Sequence, residues 1–187
     1  ALVEDYVEAE GERITGGARI GYLPQELPAE EKERTLYELF CEEEQFFQWS
    51  PKELSKLAQE LGLPADFYYG EQQMYTLSGG EKVKAQMARL LLGEPDVFLL
   101  DEPSNDIDIP TLLWMERFIR ESEQPVLYIS HDETLIERTA NVVIHLEQIR
   151  RKTVSRHTVA RMPYREYLSH RENVMDNQMQ AALNERR

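Results

Sequence analysis

Two short apolar runs, separated by a helix-like segment, constrain the fold of this chain more than any other feature. Residues 97–100 and 126–129 are unbroken apolar runs of strand length, and residues 110–121 between them have helical character. Such runs are expected for strands of a parallel sheet that is buried on both faces. A helix at residues 132–139 and a strand at residues 141–146 repeat the order. The order predicts an α/β fold with a parallel sheet and crossover helices.

Five further segments carry strand or helix signals: a strand at residues 18–23, helices at residues 29–48, 51–61 and 79–92, and a long helix at residues 164–187. The helix after residue 50 has the clearest ends, because Ser50 is a good N-cap, Pro51 suits the first helical position, Glu53 completes a capping box and Gly62 is a stop signal. A small helical region is therefore expected before residue 77.

Composition excludes several classes of protein. The chain has 187 residues, one cysteine (Cys41) and a formal net charge of −14. This length can bury a core, and the acidic balance argues against a generic nucleic-acid binder. A single cysteine forms neither an internal disulfide framework nor a zinc cluster, which favours a cytoplasmic location. No apolar run approaches the roughly 20 residues that cross a bilayer, so we expect no membrane insertion.

The charge is unevenly distributed along the chain. Residues 1–81 carry −12, residues 82–149 carry −7 and residues 150–187 carry +5. Such asymmetry suggests that the C-terminal segment meets a different partner from the rest of the chain.

The sharpest local motif is Leu77-Ser78-Gly79-Gly80-Glu81. Ser78 can cap a helix while Glu81 reciprocates three residues later, and two glycines let another group approach the free N–H groups. A helix start of this kind is an anion site. By itself the pentapeptide also fits an ordinary capped helix.

Acidic and polar residues follow the predicted strands. Asp101 and Glu102 end the strand at residues 97–100, where ligands of open α/β sheets bind. The first would hold Mg²⁺, and the second would orient or deprotonate water. Three weaker signals are an Asn105, Asp106 and Asp108 cluster that also suits a helix-capping turn, His131 after the next strand, and Gln25 after the first.

In this order and spacing, the motifs resemble those of the ATP-binding cassette (ABC) ATPases, over residues 18 to about 146. Gln25 matches the Q-loop, Leu77–Glu81 the signature motif, 97–102 the Walker B strand, 105–108 the D-loop and His131 the H-switch. Several motifs in family order are far more specific than any single one. The resemblance implies a P-loop NTPase-like nucleotide-binding domain that uses ATP and Mg²⁺.

The resemblance also assigns expected roles. Asp101 and Gln25 would contact the metal, and Glu102 and His131 would be catalytic. The signature residues Leu77, Ser78, Gly79, Gly80 and Glu81 would contact ATP held by a second cassette, in the same chain or in a homodimer. Asn105 and Asp108 would communicate across that interface.

Finer features resemble the ribosome-associated F subfamily (ABC-F). The segment between Gln25 and Leu77 is short, residues 102–108 are similar to its D-loop pattern, and a long helix follows the cassette. The implied division is residues 1–25 (core up to the Q-loop), 26–76 (helical subdomain), 77–160 (signature helix and the rest of the core) and 161–187 (start of a helical linker). The basic linker would face the ribosome and tRNA, in translation or in antibiotic-resistance protection.

Two departures from the family matter. Asp106 stands where the subfamily usually has histidine. No G-x-x-x-x-G-K-[S/T] occurs in the chain, so the P-loop (Walker A) is expected before Ala1. The chain alone is then expected to be an incomplete first cassette that does not hydrolyse ATP.

Other classes stay open. A nucleotide-binding subunit of a membrane transporter would need a membrane-spanning partner, and a truncated chain could act as a non-catalytic module. Chromosome and repair ATPases of the SMC type are disfavoured, because only 52 positions separate Gln25 from Leu77.

Overall fold

The structure, a computed structural model, describes residues 15–149 and 154–184, except for the side chains of residues 148–149, 154–156 and 175–184. It divides into two compact units, one ending at His131 and the other beginning at Asp132. Each unit is described by itself. The functional division at residues 25, 76 and 160 stays a prediction.

The first unit contains a parallel sheet of three strands, β1 (Ile20–Leu23), β2 (Val97–Asp101) and β3 (Val126–Ile129), in the order β1-β2-β3. Leu23 lies beside Leu100, and Asp101 lies beside Ile129. The predicted parallel α/β arrangement is confirmed. Because the strands are parallel, their carboxyl ends meet at one edge.

The two faces of this sheet differ in burial. Leu23, Phe98 and Leu100 are at most 2% exposed and belong to the core. On the other face of β3, Leu127 is 49% and Ile129 is 63% exposed. The prediction that both runs are buried on both faces is therefore wrong for β3, because in the described residues the core packs against only one side of it.

Five helices of the first unit are α1 (Ala29–Lys32), α2 (Leu36–Cys41), α3 (Pro51–Glu60), α4 (Gly79–Leu92) and α5 (Ile109–Glu121). Short 3₁₀ turns occupy Glu44–Phe47, Phe67–Tyr69 and Met74–Thr76. Helices α4 and α5 contribute Met87, Leu92 and Met115 to the core that covers the sheet. The predicted capping box that begins α3 at Ser50 is confirmed.

The predicted single helix at residues 29–48 is wrong. Thr35 starts a new helix instead, since its side chain accepts from the Glu38 N–H while the Glu38 carboxylate accepts from the Thr35 N–H. The backbone at this break bonds to a distant segment: the Leu36 N–H donates to the Gln72 carbonyl and the Met74 N–H to the Arg34 carbonyl. These non-local bonds replace the helical bonds that one continuous helix would make.

One arginine ties the broken helical segment to α4. The Arg89 Nη1 atom lies 3.0 Å from Glu31 Oε2, and its Nη2 atom lies 2.9 Å from Glu43 Oε1. All three side chains are at most 27% exposed. The carboxylates raise the pKa of the guanidinium against the opposing effect of burial. Arg89 therefore joins α1 and the start of the 3₁₀ turn after α2, which Glu43 precedes, to the C-terminal half of α4.

The second unit consists of α6 (Glu133–Thr139), β4 (Val143–Ile149), β5 (Val154–Ala160) and α7 (Tyr164–Asn184). Strands β4 and β5 form an antiparallel pair of their own. The prediction that residues 141–146 continue the parallel sheet is therefore wrong. The helix predicted at residues 164–187 is observed through Asn184, and its last three positions lie outside the described residues.

Side chains join α7 to α6 and to β4 within this second unit. Arg165 of α7 forms an ion pair with Glu137 of α6. His145 of β4 packs against Tyr167, with ring centroids 5.9 Å apart. Over the part of the chain that the structure describes, no helix has the length and apolar character needed to span a membrane.

Candidate functional site

The carboxyl edge of the β1-β2-β3 sheet collects four of the eleven predicted site residues. Asp101 ends β2 and Glu102 follows it, while Gln25 and His131 come two residues after the ends of β1 and β3. Gln25 is exposed. None of the described contacts joins Gln25 to Asp101, so those two share the edge and not a bond. The edge is the place where open parallel sheets bind ligands.

Glu102 is held in one orientation by the strand next to it. Its N–H donates to the Ile129 carbonyl at 2.9 Å, and its Oε2 atom accepts from the His131 N–H at 3.1 Å. His131 Nε2 lies 3.5 Å from Glu102 Oε1. The Glu102 side chain is 6% exposed and the His131 side chain is 97% exposed. The two predicted catalytic residues are thus brought together, with the carboxylate fixed and the imidazole open to solvent.

The backbone of Glu102 is unusual. Its φ is +49°, in the left-handed region that costs a non-glycine residue roughly 1–2 kcal/mol. Residues held in such conformations concentrate at functional sites, where the surrounding structure enforces them. Here the two hydrogen bonds to the backbone around the end of β3 enforce it.

Asp101 has a partner that the sequence did not indicate. The Tyr22 hydroxyl of β1 donates to Asp101 Oδ2 at 3.4 Å. Nearby, the hydroxyls of Ser104 and Ser130 lie 3.2 Å apart and connect the loops that follow β2 and β3. The signal for Tyr22 was its position in the strand beside β2, which only the strand order reveals.

The signature motif begins α4 with the predicted capping box. Ser78 Oγ accepts from the Glu81 N–H at 3.3 Å and donates to Glu81 Oε2 at 2.7 Å, and the Ser78 N–H donates to the same oxygen at 2.9 Å. These bonds hold the pKa of the Glu81 carboxyl below its usual range. Leu77 is buried in the core, which fixes the chain as it enters the helix.

The D-loop residues sit directly against the two glycines of the signature motif. A Cβ built on Gly79 would overlap the Asp106 carbonyl oxygen and lie 2.9 Å from its carbon. A Cβ on Gly80 would lie 2.6 Å from Thr111 Oγ1 and 3.2 Å from Asp108 Oδ1. The group that approaches the glycines is therefore a neighbouring loop of the same unit.

Asp108 confirms the helix-capping interpretation of its cluster. Its Oδ1 atom accepts from the Thr111 N–H at 2.9 Å and caps α5. The Thr111 hydroxyl and N–H, with Lys84 nearby, hold the pKa of the Asp108 carboxyl below its usual range. Asn105 is exposed, and its N–H donates to the Glu102 carbonyl at 3.1 Å.

A metal ion would not find a complete set of protein ligands here. The described residues include no group of three or more His, Cys, Asp or Glu side chains placed to hold one. Mg²⁺ is commonly held by one or two carboxylates together with phosphate oxygens and water. Asp101, fixed at a strand end beside a hydroxyl donor, suits that mode.

The arrangement of strand ends, capped helix and loop defines an ATP-binding cassette. The "ABC transporter" family model matches residues 4–105, more than half of the chain, and the chain belongs to this family. Residues 15–131 thus include part of an ABC nucleotide-binding domain of the P-loop NTPase fold.

Relatives of known sequence include members of the F subfamily. The chain is 36% identical over 96 residues to the energy-dependent translational throttle protein EttA of Escherichia coli strain K12, covering 51% of this chain and 17% of that protein. It is 33% identical over 95 residues to ABC transporter F family member 5 of Arabidopsis thaliana, covering 50% of this chain and 13% of that protein. The matched region thus spans well under a fifth of these relatives.

Solved structures give the same fold. The archaeal ribosome recycling factor aABCE1, in complex with a ribosomal stalk protein, matches with a TM-score of 0.65 and 26% identity, over 92% of this chain and 33% of that one. An "RNase-L Inhibitor" matches with a TM-score of 0.63 and 28% identity, over 88% of this chain and 32% of that one.

Proposed function

We propose that this chain is part of an ABC-F ATPase that binds and hydrolyses ATP with Mg²⁺ and acts on the ribosome. The observation that carries the catalytic part is the fixed Glu102 carboxylate beside His131, at the edge that also holds Asp101 and Gln25. Bound Mg²⁺ would supply charge stabilisation for the phosphates. Asp101 would hold the metal with the phosphate oxygens, and Gln25 would reach it from the end of β1.

Glu102 is the proposed general base. Its carboxylate is buried and oriented by the His131 N–H. It can therefore accept a proton from an attacking water without a further loss of orientational entropy. The side chain of His131, whose N–H orients Glu102, is exposed, so its imidazole can contact a terminal phosphate. Because His131 and Glu102 are in contact, a movement of His131 after loss of that phosphate would change the position of the Glu102 carboxylate.

The proposal includes two further sets of contacts, one with the phosphates and one with a second cassette. A phosphate-gripping P-loop would complete this site, and no G-x-x-x-x-G-K-[S/T] occurs in the sequence. Ser78, Gly79 and Gly80, between Leu77 and Glu81, would contact ATP held by a second cassette. Asn105 and Asp108 would carry contacts across that interface.

The ribosomal role rests on the relatives and on charge. EttA is named a translational throttle protein, and one matched structure is that of an archaeal ribosome recycling factor. Residues 150–187 carry +5, opposite to the acidic body. We assign this segment to the ribosome and tRNA contact, in the cytoplasm, with translation control or antibiotic-resistance protection as the outcome.

The deciding experiment is Glu102→Gln in the complete protein that carries this sequence. An amide cannot take the proton, so ATP stays uncleaved and the ATP-bound state persists. We expect at least a tenfold gain in ATP-dependent co-sedimentation with ribosomes. Glu123→Gln, at an exposed position beyond α5, is the matched control and should behave as the unmodified protein.

Two outcomes would contradict the proposal. A Glu102→Gln protein that sediments free of ribosomes with ATP present would remove the ribosomal assignment. Fractionation with membranes would favour the nucleotide-binding subunit of a transporter.

A further inference from the structure

The signature glycines have a neighbour within the same unit, and that neighbour has an uncommon backbone. Asp106 has a φ of +56°, in the left-handed region. Its carbonyl oxygen occupies the space where a side chain on Gly79 would begin. Aspartate, asparagine and histidine enter this region more readily than most other non-glycine residues.

We propose that Asp106 is a positioning residue: its left-handed backbone holds its carbonyl against Gly79, and so fixes the first turn of α4 on the loop after β2. The role belongs to the backbone conformation and not to the negative charge of the side chain.

A second contact makes the loop and the helix start one body. Gly80 is buried, and its backbone lies against Thr111 and Asp108, which are themselves joined by the cap of α5. Gly79 thus meets the loop after β2, and Gly80 meets the first turn of α5 and its capping residue. A shift of residue 106 would displace Gly79, while Gly80 would stay packed on Thr111, so the strain falls on the capping box at Ser78.

The consequence for nucleotide binding rests on the proposed function, because it assumes that this turn contacts ATP on a second cassette. The contact itself does not depend on that assumption. A test on the chain without nucleotide therefore separates the two.

The test is amide hydrogen exchange of the 187-residue chain, read at the Glu81 and Lys82 N–H groups, which bond to Ser78 Oγ and to the Ser78 carbonyl. Asp106→Val disfavours the left-handed region, and we expect about tenfold faster exchange at these two groups. Asp106→Asn and Asp106→Gly keep access to that region, so exchange should stay within about twofold of the unmodified chain.

Glu94→Val is the matched control. Glu94 is also left-handed, with a φ of +46°, but it follows the opposite end of α4. It should lower overall stability in the same way as Asp106→Val and leave exchange at Glu81 unchanged. Gly79→Ala should reproduce the effect of Asp106→Val. In the double variant, the fold increase in exchange rate should be smaller than the product of the two single increases.

The proposal is overturned if Asp106→Asn accelerates exchange as much as Asp106→Val, because charge would then be responsible. It is also overturned if Asp106→Val and Glu94→Val affect the Glu81 N–H equally, since the effect would then be general destabilisation. Should Asp106→Val not fold, the Asn, Gly and Gly79→Ala variants still decide between charge and backbone.

Discussion

Glu102 and Asp106 lie four residues apart in one loop, and both have a left-handed backbone. In Glu102 this conformation places the carboxylate where the His131 N–H can donate to it. In Asp106 it directs the carbonyl at Gly79. Single residues in costly conformations therefore connect the candidate base and the signature turn to the same loop.

Tyr68 buries a hydroxyl group at a cost in stability that no hydrogen bond in the described residues offsets. Its side chain is fully buried against Phe40, with ring centroids 4.9 Å apart, and its hydroxyl has no hydrogen-bond partner among the described residues. A buried hydroxyl without a partner costs roughly 1–3 kcal/mol. Burial also raises the pKa of Tyr68 well above its usual range, with a smaller effect from Glu60.

We predict that Tyr68→Phe raises the free energy of unfolding by about 1 kcal/mol at neutral pH. The pH dependence has a defined sign. The pKa is higher in the folded than in the unfolded state, so stability is retained below about pH 10 and lost above it, by up to ~1.4 kcal/mol per pH unit. Tyr68→Phe removes that loss.

Urea unfolding between pH 7 and pH 11 measures both effects. Tyr69→Phe is the matched control, since Tyr69 is the next residue and is 48% exposed. If both variants showed the same alkaline behaviour, burial of the Tyr68 hydroxyl would not be the cause.

At the scale of elements, most local signals predict the observed helix ends, whereas contacts between distant segments are not predicted. The ends of α3 and α4 were predicted because a capping box lies within four residues and needs no other part of the chain. Thr35 and Glu38 carry the same local pattern, but the break at Thr35 was missed inside a long acidic stretch. The sequence predicts a strand at residues 141–146 but none at residues 154–160, so the antiparallel pairing of β4 with β5 is not predicted.

The candidate site divides in the same way. The residues at the strand ends were predicted, since parallel strands collect their carboxyl ends at one edge. The Tyr22 and Asp101 contact, the left-handed backbones and the packing of Asp106 on Gly79 were not, because each depends on segments that are distant along the chain or on φ values.

Arg89 is the element-scale contact that we expect to matter most for stability. Arg89→Met keeps the apolar stem but leaves Glu31 and Glu43 without their shared cation. Removing one partner of a fully buried pair costs 3–5 kcal/mol, and these side chains are partly exposed, so we predict a loss of about 2 kcal/mol.

Lys56→Met provides the comparison, because the Lys56 and Glu60 pair is 78% and 59% exposed and should contribute less than about 0.5 kcal/mol. Urea unfolding of both variants at low and high salt separates them. Equal losses would place Arg89 among the ordinary surface pairs.

At the scale of the whole molecule, the motif content of the sequence limits the ATP hydrolysis expected of the isolated chain. The chain has an acidic body, a basic C-terminal segment and no G-x-x-x-x-G-K-[S/T] sequence. The lysine and amides of that loop grip the β- and γ-phosphates in P-loop ATPases. We expect the proposed site residues Asp101, Glu102 and His131 to have no firmly held substrate when that loop is absent.

We therefore predict that the purified 187-residue chain releases phosphate from ATP and Mg²⁺ at no more than the background rate. Glu102→Gln of the same chain sets that background, since it removes the proposed base. A turnover in the unmodified chain that Glu102→Gln abolishes would contradict the prediction.

The exposed apolar face of β3 also affects the tendency of the chain to self-associate in solution. Leu127 and Ile129 present an apolar strip on a molecule whose net charge of −14 keeps copies apart. That repulsion reaches about 30 Å at 0.01 M salt and about 8 Å at 0.15 M. We therefore expect ionic strength to govern self-association. Charge repulsion should oppose it in dilute buffer, and added salt should allow the exposed β3 faces of two copies to associate.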